Sequence, residues 1–413
     1  MKNWHKLSAL IFLLVTLFAY IGCSDRKNPA DPVYPKGTVY FQAVDSSTLG
    51  RNTALSDNLI TNPYGGNAFV YTPPGYDGAD ASTEYPILYF LHGFMDTTLG
   101  YIPTTPDFPY PYGLAQTADR LIATGQIQPM IIAMMNCNSY LGGSIPAGSF
   151  YVNSPSPTSD PNQSLNGKFE NFYVDDFMYR VEKSFYVHQD KSYRAIAGHS
   201  MGGYGAFRIA MDYPDIFSIV GSMSGPLSFG DWDLNSAIDH IFSVNGVFDS
   251  TAYRDSLNEA YQGPDEITRM FFAMGAAFSP HSTTNPDSTS YFKVTPQGTT
   301  TTYGVDLPFD STQNIIASVW NRWIDSNDVQ TIYGRGTAVL DSMAIYIDCG
   351  DADEFEFNQQ SSDFYQGLTS GQKAHSFFEE YSGGGYLSAD NSTYLYYRIE
   401  KLLKFVSENF PQP

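Results

Sequence analysis

The chain has 413 residues, of which 42% are hydrophobic and 15% aromatic, and a formal net charge of −21. So much apolar side chain can bury a large core, which excludes a disordered chain. The acidic surplus speaks against binding a nucleic-acid backbone, which needs Lys and Arg to displace counterions, and against docking on an anionic membrane surface.

The N-terminus reads as an export signal. "MKNWHK" is a short basic start. "LSALIFLLVTLFAYIG" is apolar but shorter than the roughly 20 residues that span a bilayer, and "GCSD" supplies a small-residue processing site. Residues 1–22 are the expected signal peptide. Cys23 stands where a bacterial lipobox places its lipidated cysteine, although Tyr20 replaces the usual leucine. Residues 23–36, polar and punctuated by proline, read as the lipidated N-terminus and its tether. The expected location is the bacterial cell envelope, in the periplasm or at the outer membrane or cell surface. The lipid is the only expected membrane attachment, and without it the protein is secreted.

From Thr38 onward, short apolar runs alternate with helical patterns. "TVYFQAV" and "NAFVYTPPGY" read as strands, the second closed by Pro73, Pro74 and Gly75. "YPILYFLHG" and "PMIIAMMN" are continuous apolar runs, as buried strands require, and the short helix "TADRLIATGQ" lies between them. "NFYVDDFMYRVEKSF" sets Tyr173, Phe177, Val181 and Phe185 along one helix stripe. "YRAIAGHS" is a strand, "YGAFRIAMDYP" a helix and "FSIVGSMSG" a strand. Residues 226–338 then break the rhythm, and are expected to form an insertion over the C-terminal edge of the sheet, where ligands bind in this class. "MAIYIDCG" and "HSFFEEY" read as the last strands, and "YLYYRIEKLLKFVSENF" as an amphipathic helix.

This alternation predicts an α/β fold: a mostly parallel central sheet covered by helices on both faces, in one domain over residues 37–413. Cys137 and Cys349 then end strands four spacings apart. At ~4.8 Å per spacing that is about 19 Å, too far for a disulfide, so two free buried thiols are expected.

"AIAGHSMGGYGAF" bears the chemistry. Gly198-His199-Ser200-Met201-Gly202 is G-x-S-x-G between a strand and a helix, the context of a nucleophile elbow. Such a turn exposes Ser200 Oγ at a helix N-terminus, where backbone N–H groups can hold an oxyanion. The expected donors are the N–H groups of Met201 and of Phe94, which follows the strand "LYFLHG". His92 in that loop reads as a packed side chain. An orienting carboxylate belongs after a later strand, and Asp348, Asp351, Asp353 and Glu354 in "IYIDCGDADEF" all compete for the role. The scattered histidines and the lack of Cys-x-x-Cys give no metal-ligand spacing, and no phosphate loop occurs, so no metal or cofactor is expected.

The stretches "VYTPPGYD", "YPILYFLHGF", "ADRLIATGQIQPMIIAMMN", "GHSMGGYGAFRIAMDYPDIFSIVGSMSG" and "CGDADEF" together resemble the esterase-D-like serine esterases, also called the putative esterase family. The resemblance covers roughly residues 38–225 and 339–410. It implies an α/β-hydrolase fold and a Ser–Asp–His triad. It places the acid at G-x-x-D, here Gly350 to Asp353, and so selects Asp353. It places the histidine in a Gly-Gly-His turn before an aromatic-rich helix.

There the chain departs from the pattern: Gly385 stands where the histidine is expected, in a longer turn, "GYLSADNST". A neutral hydroxyl is a poor nucleophile without a base, and losing the base can cost about 10^6-fold in rate. His281 in the insertion is the expected substitute, ahead of His240. His188 and His375 lie too far away along the fold, and the ring of His199 should point away from the serine. Two functions follow as expectations. One is an exported serine esterase for small acyl, acetyl or feruloyl esters, such as those decorating polysaccharides. The other is a non-catalytic relative that binds a glycan or ester ligand in the same cleft.

Overall fold

The apolar runs form the strands that their burial demands. In a computed structural model the described residues are 34–44, 67–96, 98–101, 113–139, 147–156, 166–246, 265–281, 291–294, 303–382, 391 and 394–413. The readings at residues 1–22, at Cys23 and at Gly385 lie outside them. Eight strands make the central sheet: β1 (Thr38–Ala43), β2 (Asn67–Thr72), β3 (Ile87–Leu91), β4 (Ile131–Met135), β5 (Arg194–His199), β6 (Ile219–Met223), β7 (Ala344–Gly350) and β8 (Ser376–Tyr381). Their order is β1-β2-β4-β3-β5-β6-β7-β8. β2 runs antiparallel to both its neighbours, and all other pairs are parallel. β3, β4 and β6 are buried at every position, which only a sheet covered on both faces allows.

The two cores divide the side chains by the period of two. Ile87, Tyr89 and Leu91 of β3 enter one core, and Leu88 and Phe90 the other. The second core is closed by α1 (Leu114–Ala123) and by the long C-terminal helix through Leu114, Leu121, Ile399, Leu402 and Val406. Each such side chain, fully buried, contributes about 1.5–3 kcal/mol. On the other face, the stripe Tyr173, Phe177 and Val181 is fully buried, as its spacing predicts. Its backbone, however, is a π-helix over Phe172–Met178 that tightens to α2 (Tyr179–Ser184).

Strand register levels the site. Leu91 pairs with Gly198, His199 with Met223, and Met223 with Asp348. The C-terminal ends of β3, β5, β6 and β7 therefore lie side by side, and the loops leaving them meet. α3 (Met201–Asp212) follows β5 directly. Residues 226–338 contain α4 (Leu234–Asn245), α5 (Glu266–Phe278), α6 (Ala317–Asn327) and α7 (Val329–Arg335). A small sheet among them joins Tyr291–Val294, Tyr303–Asp306 and Pro280–His281. These elements are tied to the central sheet and its helices by Ser154 Oγ donating to Ala276 O at 3.0 Å and Tyr204 Oη to Asn327 O at 3.0 Å. The last helix is α9 (Leu395–Asn409), preceded by α8 (Phe357–Gly367). Cys137 and Cys349 are both free and buried, and burial pushes both thiols up. Among the described residues no helix is long and apolar enough to cross a membrane.

Candidate active site

Ser200 sits between β5 and α3 with φ 53 and ψ −119, a conformation that side chains rarely adopt. The flanking glycines explain how the chain tolerates it. A Cβ on Gly202 would lie 2.1 Å from Leu91 O, and one on Gly198 would lie 2.4 Å from the Gly202 carbonyl carbon. Both positions therefore exclude every other residue, and β5 and α3 close tightly enough to present Ser200 at the helix N-terminus. The Ser200 N–H donates to Met223 O at 2.7 Å, which fixes the turn to β6.

Met201 is the first residue of α3, so its N–H has no partner within the helix. The loop after β3 folds into a turn closed by Asp96 N–H to Gly93 O at 3.2 Å, with Met95 at φ 58. Phe94 in this turn approaches Met201. A Cβ on Gly148 would touch Met201 Sδ at 2.7 Å and Phe94 Cδ2 at 2.7 Å. Among the described residues neither N–H donates to a backbone carbonyl in the turns around the site. His92 is buried; its Nε2 accepts from Cys137 N–H at 2.9 Å, and burial pushes its imidazole down to about 4. It is a neutral packing group.

The four competing carboxylates have separate positions. Asp348 is fully buried and bonded to the fully buried Arg398, whose Nη2 and Nε donate to its Oδ1 at 2.6 and 3.0 Å. Asp351 is exposed. Asp353 is buried, and burial pushes its carboxyl up to about 6 against the N–H groups of Phe355 (3.0 Å) and Phe357 (3.3 Å). Its Oδ2 accepts from Asn391 Nδ2 at 3.0 Å. Glu354 accepts from Asn391 N–H at 2.9 Å.

Asp353 Oδ2 thus meets two side chains, the Cys349 thiol at 3.4 Å and the amide of Asn391, a residue that sequence reasoning does not find. The one signal available was its place in the sequence, six residues beyond Gly385 and ahead of α9. Asn391 is buried. Its backbone carbonyl accepts from His199 Nε2 at 3.0 Å and from Arg398 Nη1 at 2.8 Å. His199 Nδ1 meets Tyr101 Oη at 3.0 Å, so both ring nitrogens of His199 are engaged.

Ser200, Asn391 and His199 line one cleft of about 260 Å³ with Gly93, Phe94, Met95, Asp96, Glu354 and Phe355. Glu266 and Met270 of α5 complete it, so the insertion does reach the site. It does not bring His281 there. His281 pairs with Gly304 in the small sheet, its ring stacks against that glycine, and its Nε2 meets Asp306 Oδ1 at 3.2 Å. The pairing holds the ring away from the cleft, and this corrects the expectation of His281 as base. His240 bonds Asp265 Oδ1 at 2.8 Å and is likewise absent from the cleft lining. Among the described residues no cluster of His, Cys, Asp or Glu has the form of a metal site.

The family described as "Putative esterase" matches residues 66–394. Among curated proteins, an endo-1,4-beta-xylanase/feruloyl esterase of Xylanibacter ruminicola is 30% identical over 162 residues, 38% of this chain and 19% of that protein. An esterase of Mycobacterium tuberculosis is 29% identical over 223 residues, 51% of this chain and 38% of its own length. The chain thus spans well under half the length of these curated relatives. A solved ferulic acid esterase superposes with a TM-score of 0.52 at 19% identity, covering 91% of this chain and 100% of its own. That likeness is one of fold, and the fold is that of the α/β-hydrolases.

Proposed function

The chain belongs to the Putative esterase family, and we propose that it is an exported serine esterase whose nucleophile is Ser200. One observation carries the reading: Ser200 is held at φ 53 between two glycines that admit no Cβ, at a helix N-terminus, on the wall of a cleft. Strain of this kind costs about 1–3 kcal/mol and persists where surrounding structure enforces it, typically at functional sites.

In this mechanism Ser200 Oγ attacks the ester carbonyl. The N–H groups of Met201 and Phe94 take the charge that develops on the carbonyl oxygen. The ester C–O bond breaks to leave an acyl-serine, and water hydrolyses it. Asp353 is the acid of the site and Asn391 its partner. The cleft, at about 260 Å³, is slightly smaller than the ~300–1,000 Å³ typical of drug-sized ligand pockets. It suits a small acyl group or a single aromatic ring. Acetyl or feruloyl groups on a polysaccharide fit this size, and the similarity to a xylanase/feruloyl esterase supports that class. The basic start, apolar run and Cys23 support export with a lipid anchor.

A second reading has its own support. The group on Asp353 is an amide rather than an imidazole, which favours a protein that binds a glycan or ester ligand without turning it over. Hydrolysis of 4-nitrophenyl acetate by the mature chain, beside Ser200→Ala, separates the two. Turnover abolished in the variant supports the esterase. Equal rates in both leave ligand binding as the function.

A further inference from the structure

We propose that Asn391 occupies the seat of the general base, so that the site keeps a nucleophile, an oxyanion cradle and an orienting acid around an amide that cannot move a proton. The proposal rests on the reading of Ser200 as nucleophile.

The seat is defined by its contacts. Asn391 Nδ2 donates to Asp353 Oδ2 at 3.0 Å and to Ser224 O at 3.3 Å. Both partners are acceptors, so the opposite amide orientation would set oxygen against oxygen twice, and the assignment of nitrogen is fixed by chemistry. The remaining polar atom of the side chain, Oδ1, is an acceptor on a residue that lines the same cleft as Ser200. An imidazole in this place would donate one nitrogen to Asp353 and keep the other as a base. The amide reproduces the first half and not the second, because an amide oxygen accepts a hydrogen bond but is not protonated in water.

The backbone of Asn391 is locked as a catalytic residue's would be. Its N–H is held by Glu354 at 2.9 Å, and its carbonyl by His199 and Arg398. Arg398 is itself anchored by Asp348 and by Ser224 Oγ at 2.8 Å. Five residues from four separate parts of the chain thus converge on one asparagine. His199, the only imidazole lining the cleft among the described residues, spends one nitrogen on this lock and the other on Tyr101.

The consequence concerns the leaving group. When the Ser200 Oγ–C bond forms and the ester C–O bond breaks, the serine proton passes to water, and the leaving oxygen departs as an anion. Aryl esters meet that condition because a phenolate is a stable anion. Alkyl esters, and the polysaccharide-linked esters proposed above, leave as alkoxides that need a proton, so the parent is expected to bind them and to turn them over far more slowly than aryl esters.

The test is Asn391→His in the mature chain, assayed with 4-nitrophenyl acetate and ethyl acetate. Positioned acid–base catalysis contributes about 10²–10⁴-fold, so kcat/KM is expected to rise at least ~100-fold for the aryl ester and further for the alkyl ester. The gain should show an acid limb near the imidazole range, about 6.5, that the parent lacks. It should vanish when Asp353→Asn or Ser200→Ala is added. A gain that survives Ser200→Ala overturns the nucleophile itself. No gain in a folded variant, with Ser200 still acylated by mass spectrometry, overturns only the assignment of the seat. Should Asn391→His fail to fold, Asn391→Gly with added imidazole decides. Saturable rescue supports the proposal, and its absence in folded Asn391→Gly refutes it.

Discussion

Replacing Arg398 by methionine should strand a carboxylate in the core. Arg398 and Asp348 both have side chains with 0% exposure. The guanidinium is the only cation bonded to Asp348 among the described residues, and the other bond to the carboxylate comes from Tyr346 Oη at 2.6 Å. Burial pushes the Asp348 carboxyl up, and Arg398 pulls it back. In Arg398→Met only the Tyr346 hydroxyl still opposes the burial penalty, and the folded chain escapes the rest by protonating Asp348. The unfolded chain ionises at the ordinary value of 3.8, so folding then takes up a proton. Stability is retained at low pH and falls by about 1.4 kcal/mol for each pH unit above that value. The cost reaches about 4 kcal/mol at pH 7 and about 2 kcal/mol at pH 5. The lost bonds to Ser224 Oγ and Asn391 O add about 1 kcal/mol each at any pH. The total at neutral pH, about 6 kcal/mol, lies above the range of other broken buried ion pairs, about 3–5 kcal/mol. Urea denaturation followed by circular dichroism at pH 5 and pH 7 measures it. A loss under about 1 kcal/mol at pH 7, or one that does not shrink at pH 5, would refute the reasoning. Adding Asp348→Asn should remove the pH dependence.

Other perturbations test other parts of the structure. At an ordinary site glycine is less stable than alanine by about 0.5–1 kcal/mol. At position 200, with φ 53, Ser200→Gly should instead be more stable than Ser200→Ala, and a thermal melt showing the usual order would contradict the strain. Glu170 is pushed up to about 7, first by burial and then by Asp212 beside it. Its folded value exceeds the ordinary 4.5, so its contribution is greatest at low pH and is lost as pH rises through 7. Glu170→Gln should flatten the melting temperature between those limits by an amount corresponding to up to about 3 kcal/mol. A pH series that leaves the slope unchanged would count against it. His281→Ala should leave ester hydrolysis within about twofold of the parent, since a general base contributes about 10²–10⁴-fold; a larger loss would put His281 back in the chemistry.

The features legible in the sequence were those fixed by local sterics and short periods. The unbroken apolar runs at Ile87–Leu91 and Ile131–Met135 form buried strands, and Gly198 and Gly202 stand at positions where no side chain fits. The acid was different: local chemistry left four carboxylates open, and only the family pattern selected Asp353. What separates Asp348 from Asp353 is an arginine 50 residues away, and no local pattern reports such a pairing. Asn391 was illegible for a related reason. Its turn has no periodicity, and its role lies in contacts to Ser224, Asp353, Glu354, His199 and Arg398. His281 pairs with Gly304 and is not among the described residues that line the cleft, and the sequence around "AFSPH" gives no sign of that pairing.

The lock around Asn391 bears on mutational distance. Asparagine and histidine codons differ at a single first base, A against C. The side chains that would seat an imidazole already grip position 391 from several sides, through Asp353, Glu354 and Arg398. A population carrying this gene therefore stands one nucleotide from a complete Ser–His–Asp arrangement, with no intermediate to cross. In a growth selection that rewards cleavage of an alkyl ester, that transversion should be among the first changes recovered, and it should recur in independent lineages.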